Sequence, residues 1–274
     1  MQIKTTTRVP LGVSKRLVLI HVEHRVEHEY EKLTERSVDE PCLVRHRRSK
    51  ELAVCRLTWL QGVDGIGRIA HRNVAAIHSI FQQSRVAFLI HEQLEVGLQE
   101  LAMITEIHIA SALSQVVDAI HHLVAEKIRF PIESIRVSRC GVVKIVLNIC
   151  FQPAVDVVAD AEQYWSRVYG NIIRSIRSQL QRLPLSFVAR EFLLTHHEET
   201  LPDRQHRFLK RSNGPNGLLA LIAQTLDAKE VAMIDRTPDD PVPCDLVTRM
   251  YGRTRREQPS VMQRNNEESV DVRY

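Results

Sequence analysis

The sequence predicts an α+β protein in which strands come first and helices after. Before Gly97 the apolar residues fall in short, β-branched runs at 16–22, 51–57 and 85–90. After it, residues 104–124 place Ile107, Ala110, Leu113, Val117, Ile120 and Leu123 on one stripe at three- and four-residue spacing, the pattern of a long amphipathic helix. One hairpin pattern, residues 135–149 turning at Gly141, interrupts the helical half. Segregated strands and helices of this kind build α+β proteins with two lobes.

Each element follows from local pattern. Residues 16–22 read as a buried strand and residues 27–35 as a short helix. Leu43 and Val44 begin a second strand, Arg45, His46, Arg47 and Arg48 form a basic turn, and residues 51–57 return as a third. Residues 85–90 make another strand, and residues 164–183 and 185–194 are helical. Past Leu226 the chain turns polar and is marked by Pro238, Pro241, Pro243 and Pro259, so its end is expected to be a disordered tail.

Composition narrows the function classes. The 274 residues suffice for one sizeable core or a two-lobed one, and 44% hydrophobic with 26% charged residues is ordinary for a soluble protein. Aromatics at 5% and a net charge of only +4 argue against a nucleic-acid partner. No apolar run reaches the roughly 20 residues that span a bilayer, so no membrane partner is expected. The run at 17–22 ends in His21 and Glu23 and is too short for a signal peptide. Cys42, Cys55, Cys140, Cys150 and Cys244 are odd in number and form no C-x-x-C pair, which suits reduced thiols in a cytoplasmic or nuclear protein.

Seven segments in register carry a family resemblance. Residues 51–57 are similar to the strand that reads V-A-I-K, and residues 71–81 to H-P-N-I-V and the strand after it. Residues 88–92 and Gly97-Leu98 are similar to a hinge, residues 109–128 to the helix entering a catalytic loop, and residues 134–145 to N-I-L-V…G-x-V-K-I. Trp165, Ser166 and Gly170 are similar to W-S-x-G, and His206, Phe208 and Leu209 to a closing H-x-F-L. Over roughly residues 37–211 the chain resembles a degenerate eukaryotic protein kinase domain. The resemblance implies a two-lobed fold, with a small β-rich N-lobe at 37–95 and a mainly helical C-lobe at 96–211, both shortened. Residues 1–36 are then an N-terminal extension or extra strands, and residues 212–274 a C-terminal extension.

The groups that would transfer phosphate are missing from the matching positions. Residues 34–50 hold no glycine to admit phosphates, and the strand lysine falls at Cys55, with Arg56 alternating to the opposite face. The segment between Cys55 and His71 is too short for the helix that carries the lysine's glutamate partner, and its lone acid is Asp64. Where H-R-D is expected only Glu133 is acidic, and D-F-G falls at Leu147, Asn148 and Ile149, where a neutral amide is a poor Mg²⁺ ligand. Loss of one such charge costs roughly 10³ to 10⁵ in rate. The expectation is therefore a pseudokinase, not an enzyme, serving as a protein-binding scaffold or regulator. Its groove remnant, lined by Ala53, Glu92 and Leu94, would take ATP without metal if it takes a nucleotide at all. The alternative within the resemblance is a residual ATP-binding serine/threonine-type phosphotransferase.

A second alternative is a zinc-dependent enzyme. His24, Glu27 and His28 have H-x-x-E-H spacing, which on a helix sets two imidazoles one turn apart with a glutamate as base. The blander interpretation is a solvated, histidine-rich segment, since few apolar residues flank it. Gly62 to Gly67 lacks the spacing of any phosphate loop and reads as a turn. The basic clusters at 45–48 and 253–256 read as a turn and a tail, and His196 to Glu199 as a loop.

Overall fold

A computed structural model describes residues 6–10, 17–22, 24–34, 41–59, 66–83, 86–103, 105–149, 160–180, 183–195 and 200–234. Seven strands make one mixed sheet: β1 (Thr6–Pro10), β2 (Leu17–Val22), β3 (Tyr30–Lys32), β4 (Cys42–His46), β5 (Leu52–Trp59), β6 (Ile77–Gln83) and β7 (Val86–Glu92). Their spatial order is β1-β2-β6-β7-β5-β4-β3. Only β2 and β6 run parallel, with Ile20 opposite Ile80; the other neighbours are antiparallel. A second sheet of three strands, in the order β10-β9-β8, holds β8 (Val96–Gly97), β9 (Ile132–Val137) and β10 (Val143–Leu147). The helices are α1 (Val26–Glu29), α2 (Glu106–Ala125), α3 (Ala161–Leu180), α4 (Phe187–Thr195) and α5 (Leu219–Ile234). The result is an α+β fold with its large sheet first and its long helices after. Residues 1–229 form one compact unit and residues 230–274 another.

Helix α2 is the centre of the main core. Thr105 caps it, its hydroxyl accepting from the His108 amide. Ile109, Ala110, Ala112, Leu113, Val116, Val117, Ala119, Ile120 and Leu123 are all buried, so the helix is covered on more than one side. The expected stripe is thus wider than predicted, and Ile107, assigned to it, stands exposed. Small residues at 110, 111, 112 and 119 let neighbouring elements approach closely. Trp165 of α3 is fully buried and donates its indole N–H to the Ile128 carbonyl at 2.6 Å.

A buried polar knot fastens the hairpin β9–β10 to α2. Gln115 Oε1 accepts from the Val143 amide and from Asn73 Nδ2, and Gln115 Nε2 donates to the Ser111 and Gly141 carbonyls. Asn73 also donates to the Val143 carbonyl at 2.9 Å, and the Ala75 and Ile145 amides close a short ladder beside it. Every one of these polar atoms is thereby paired, as burial requires.

Two elements depart from expectation: β4 runs on through Arg45 and His46, two residues of the expected basic turn, and β3 replaces part of the helix expected over 27–35. The helix expected over 27–35 stops after one turn at Glu29, and β3 begins at Tyr30. There the ladder to β4 sets Tyr30 opposite His46, and the Tyr30 ring packs edge-on against Phe81 at 6.0 Å. Burying one aromatic in the sheet outweighs the weak propensity of a short charged helix. Residues 1–36 accordingly contribute three strands to the same sheet as residues 37–95. Within 62–67 only Ile66 and Gly67 are described, and they open a 3₁₀ turn, Ile66–Ile69. The loop at 196–199 and the polar tail with Arg253 to Arg256 lie outside the described residues. Among the described residues no helix is long and apolar enough to cross a membrane.

Candidate functional site

Strand β5 carries side chains into two separate cores. Ala53 and Cys55 join a small cluster with Val26, Tyr30, Val44, Phe81 and Ile90 on one face of the large sheet. Alternation turns Arg56 and Thr58 to the other face, towards the hairpin β9–β10. Arg56 Nη2 forms an ion pair with Glu133 Oε2 of β9, and both side chains are largely shielded, at 10% and 32% exposed. Two residues on, the Thr58 hydroxyl donates to the Ile149 carbonyl at 3.3 Å. Arg56, His91, Leu147 and Ile149 line one cavity of only about 20 Å³. That is room for about one water and far below the several hundred Å³ of ligand pockets.

The expected site residues separate into three groups. Glu133 and Leu147 meet at Arg56. Cys55 does not; it faces Cys42 across the β4–β5 ladder, in the small core. Asn148 lies between two residues that line the Arg56 cavity without lining it itself; its amide donates to the Pro131 carbonyl at 2.7 Å, and its Oδ1 is buried without a protein partner.

The groove residues are also dispersed. Ala53 belongs to the cluster of Cys55, on the face away from Glu133. Glu92 Oε1 accepts from Lys144 Nζ of β10 at 2.5 Å and from the Ala76 amide at 2.6 Å, so its carboxylate is engaged by the protein itself. Leu94 is buried with Ala75 and Val146. Arg56–Glu133, Thr58–Ile149 and Lys144–Glu92 together join the large sheet to the hairpin in three places.

His91 was not anticipated and belongs here. Its Nδ1–H donates to the Glu92 carbonyl at 3.1 Å, and burial, then the Arg56 charge, lowers its pKa to about 4. It is therefore a neutral imidazole at ordinary pH. A single histidine in an apolar strand gives no sequence signal of this role; only its pairing opposite β5 does.

The N-terminal histidines take a different arrangement from the zinc spacing. Because α1 starts at Val26, His24 precedes the helix and does not share a helical face with His28. Glu29, rather than Glu27, sits beside His21 and His24, at 3.6 and 3.4 Å. The His21 ring stacks on Phe81 at 4.4 Å, and burial lowers its pKa more than Glu29 raises it. Among the described residues no group of three His, Cys, Asp or Glu side chains is placed to hold a metal ion.

No protein-family model matches the chain, and no curated protein matches it.

Proposed function

We propose that this chain is a pseudokinase-type binding protein, in which a kinase-like framework is held closed by its own side chains and serves as a scaffold or regulator for a protein partner. The observation that carries it is the Arg56–Glu133 pair. Counted from β3, β5 is the third strand, where kinases place the lysine that grips phosphates. The V-A-I-K resemblance then aligns one residue later than the sequence alone suggests, over Ala53, Val54, Cys55 and Arg56. In kinases that cation pairs with a helix glutamate and serves the nucleotide. Here it is consumed by a carboxylate of the hairpin, next to an aliphatic Leu147 at the metal-ligand position.

Two further features support this. The hairpin β9–β10 docks on the long helix α2 through Gln115, as a catalytic-loop hairpin would. The space beside Arg56 is too small for a nucleotide. Among the described residues, Leu147 stands at the position matched to the metal aspartate and the space beside Arg56 is closed, whereas a framework fastened in three places is preorganised for binding.

The test is the thermal unfolding midpoint with and without ATP, with Mg²⁺ or Mn²⁺ present. A ligand that binds only the folded state raises that midpoint. No shift is expected at millimolar nucleotide. A metal-dependent rise would overturn the proposal in favour of a residual phosphotransferase.

A further inference from the structure

We propose that Cys42 and Cys55 form an oxidation site, closing to a disulfide across β4 and β5 by exchange with a small-molecule disulfide of the glutathione class. The two cysteines are direct partners in the antiparallel ladder. Residues opposite each other there have Cα atoms about 4.5–5.5 Å apart, inside the roughly 4.4–6.8 Å that a disulfide spans. Opposed residues share a face of the sheet, and Cys42 packs against the cluster that contains Cys55. The two thiols are near enough for Cys42 to perturb the ionisation of Cys55.

The order of events follows from access. Cys42 is half-buried and Cys55 is 6% exposed. The Cys42 thiolate attacks one sulfur of the small disulfide, releasing one small thiol and leaving a mixed disulfide on Cys42. The Cys55 thiolate then attacks Cys42 Sγ, forming the Cys42–Cys55 bond and releasing the second small thiol. The two thiol hydrogens of the protein end on the two small thiols, and the small disulfide is the oxidant consumed. Cys55 is a poor first nucleophile, because its hydrogen bond to Cys42 and then burial push its thiol far above the usual range. The first of those causes vanishes once Cys42 carries the adduct, which leaves burial as the largest cause slowing the second step. The bond ties β4 to the strand that presents Arg56, and it stands whether or not the chain is kinase-like.

The experiment treats the full native chain with oxidised glutathione and digests it without reduction. A linked peptide pair containing Cys42 and Cys55, lighter by two hydrogens than its parts, is expected, with no glutathione retained on Cys42. In Cys55→Ala the second step is blocked, and Cys42 keeps its glutathione. The exposed Cys140 serves as the reference for simple accessibility. A wild-type chain that holds glutathione stably on Cys42 while Cys55 stays alkylatable after unfolding would overturn the proposal. So would modification of Cys140 with neither Cys42 nor Cys55 altered. Should Cys55→Ala fail to fold, the wild-type peptide map decides alone.

Discussion

Arg56 of β5 is ion-paired with Glu133 of β9, which joins the large sheet to the hairpin through a charge shielded from water. Removing one partner of such a pair leaves the other charge without compensation, at roughly 3–5 kcal/mol. Glu133 keeps about a third of its side chain in water, so Arg56→Met is expected to cost about 3 kcal/mol. The double variant Arg56→Met with Glu133→Leu is expected to recover most of that loss, because no charge is then stranded. Denaturant unfolding of the three proteins at neutral pH measures it. A single variant losing less than about 1 kcal/mol would mean the pair does not fasten the two sheets.

The sequence makes the strand at Arg56 legible, but not its facing. Alternation assigns sides only when one side is polar, and β5 has buried residues on both, Ala53 and Cys55 against Arg56 and Thr58. With both faces inside, nothing local says which one meets Glu133. The hairpin and α2 were legible because Gly141 and a sustained helical period mark them. Strand β1 was not, since Thr6–Pro10 has few apolar residues and ends in proline, and its pairing to β2 is non-local information. The Gln115 knot left no trace either. Asparagine, glutamine and serine read as surface residues until topology buries them together.

That knot should be costly to break. Asn73 is 1% exposed, and its amide nitrogen donates to both Gln115 Oε1 and the Val143 carbonyl. Asn73→Ala leaves the carbonyl buried without that donor and opens a small void, for about 3 kcal/mol in total. Hydrogen exchange should quicken first at the Val143 and Ile145 amides, which sit in the same ladder. Unchanged protection there would show that the knot is redundant.

Two glycines with positive φ should respond differently to alanine. At Gly141, φ is +78°, and an added Cβ would lie 2.0 Å from the Pro215 carbonyl oxygen, a backbone atom that cannot swing away. Gly141→Ala is expected to cost about 3 kcal/mol from clash and strain together. At Gly214, φ is +57° with nothing within 4 Å of the added carbon. Gly214→Ala should therefore cost only the conformational penalty, about 1 kcal/mol. Equal losses in thermal or denaturant unfolding would contradict the close packing of the β9–β10 turn on residue 215.

Acid sensitivity should originate partly at His91. Its folded pKa of about 4 lies below its ordinary value of 6.5, so the unfolded chain binds this proton more readily than the folded one. The stability contributed is complete above about pH 6.5, falls as pH drops from there towards 4, and is flat below, where both states are protonated. The shift corresponds to about 3 kcal/mol lost across that window. In His91→Gln the site no longer titrates, so the slope of stability against pH between 6.5 and 4 should be shallower than in the wild type. His71, also near 4 through burial and then the neighbouring His122, keeps some slope in the variant. Parallel curves for wild type and variant would show that His91 does not stay neutral beside Arg56.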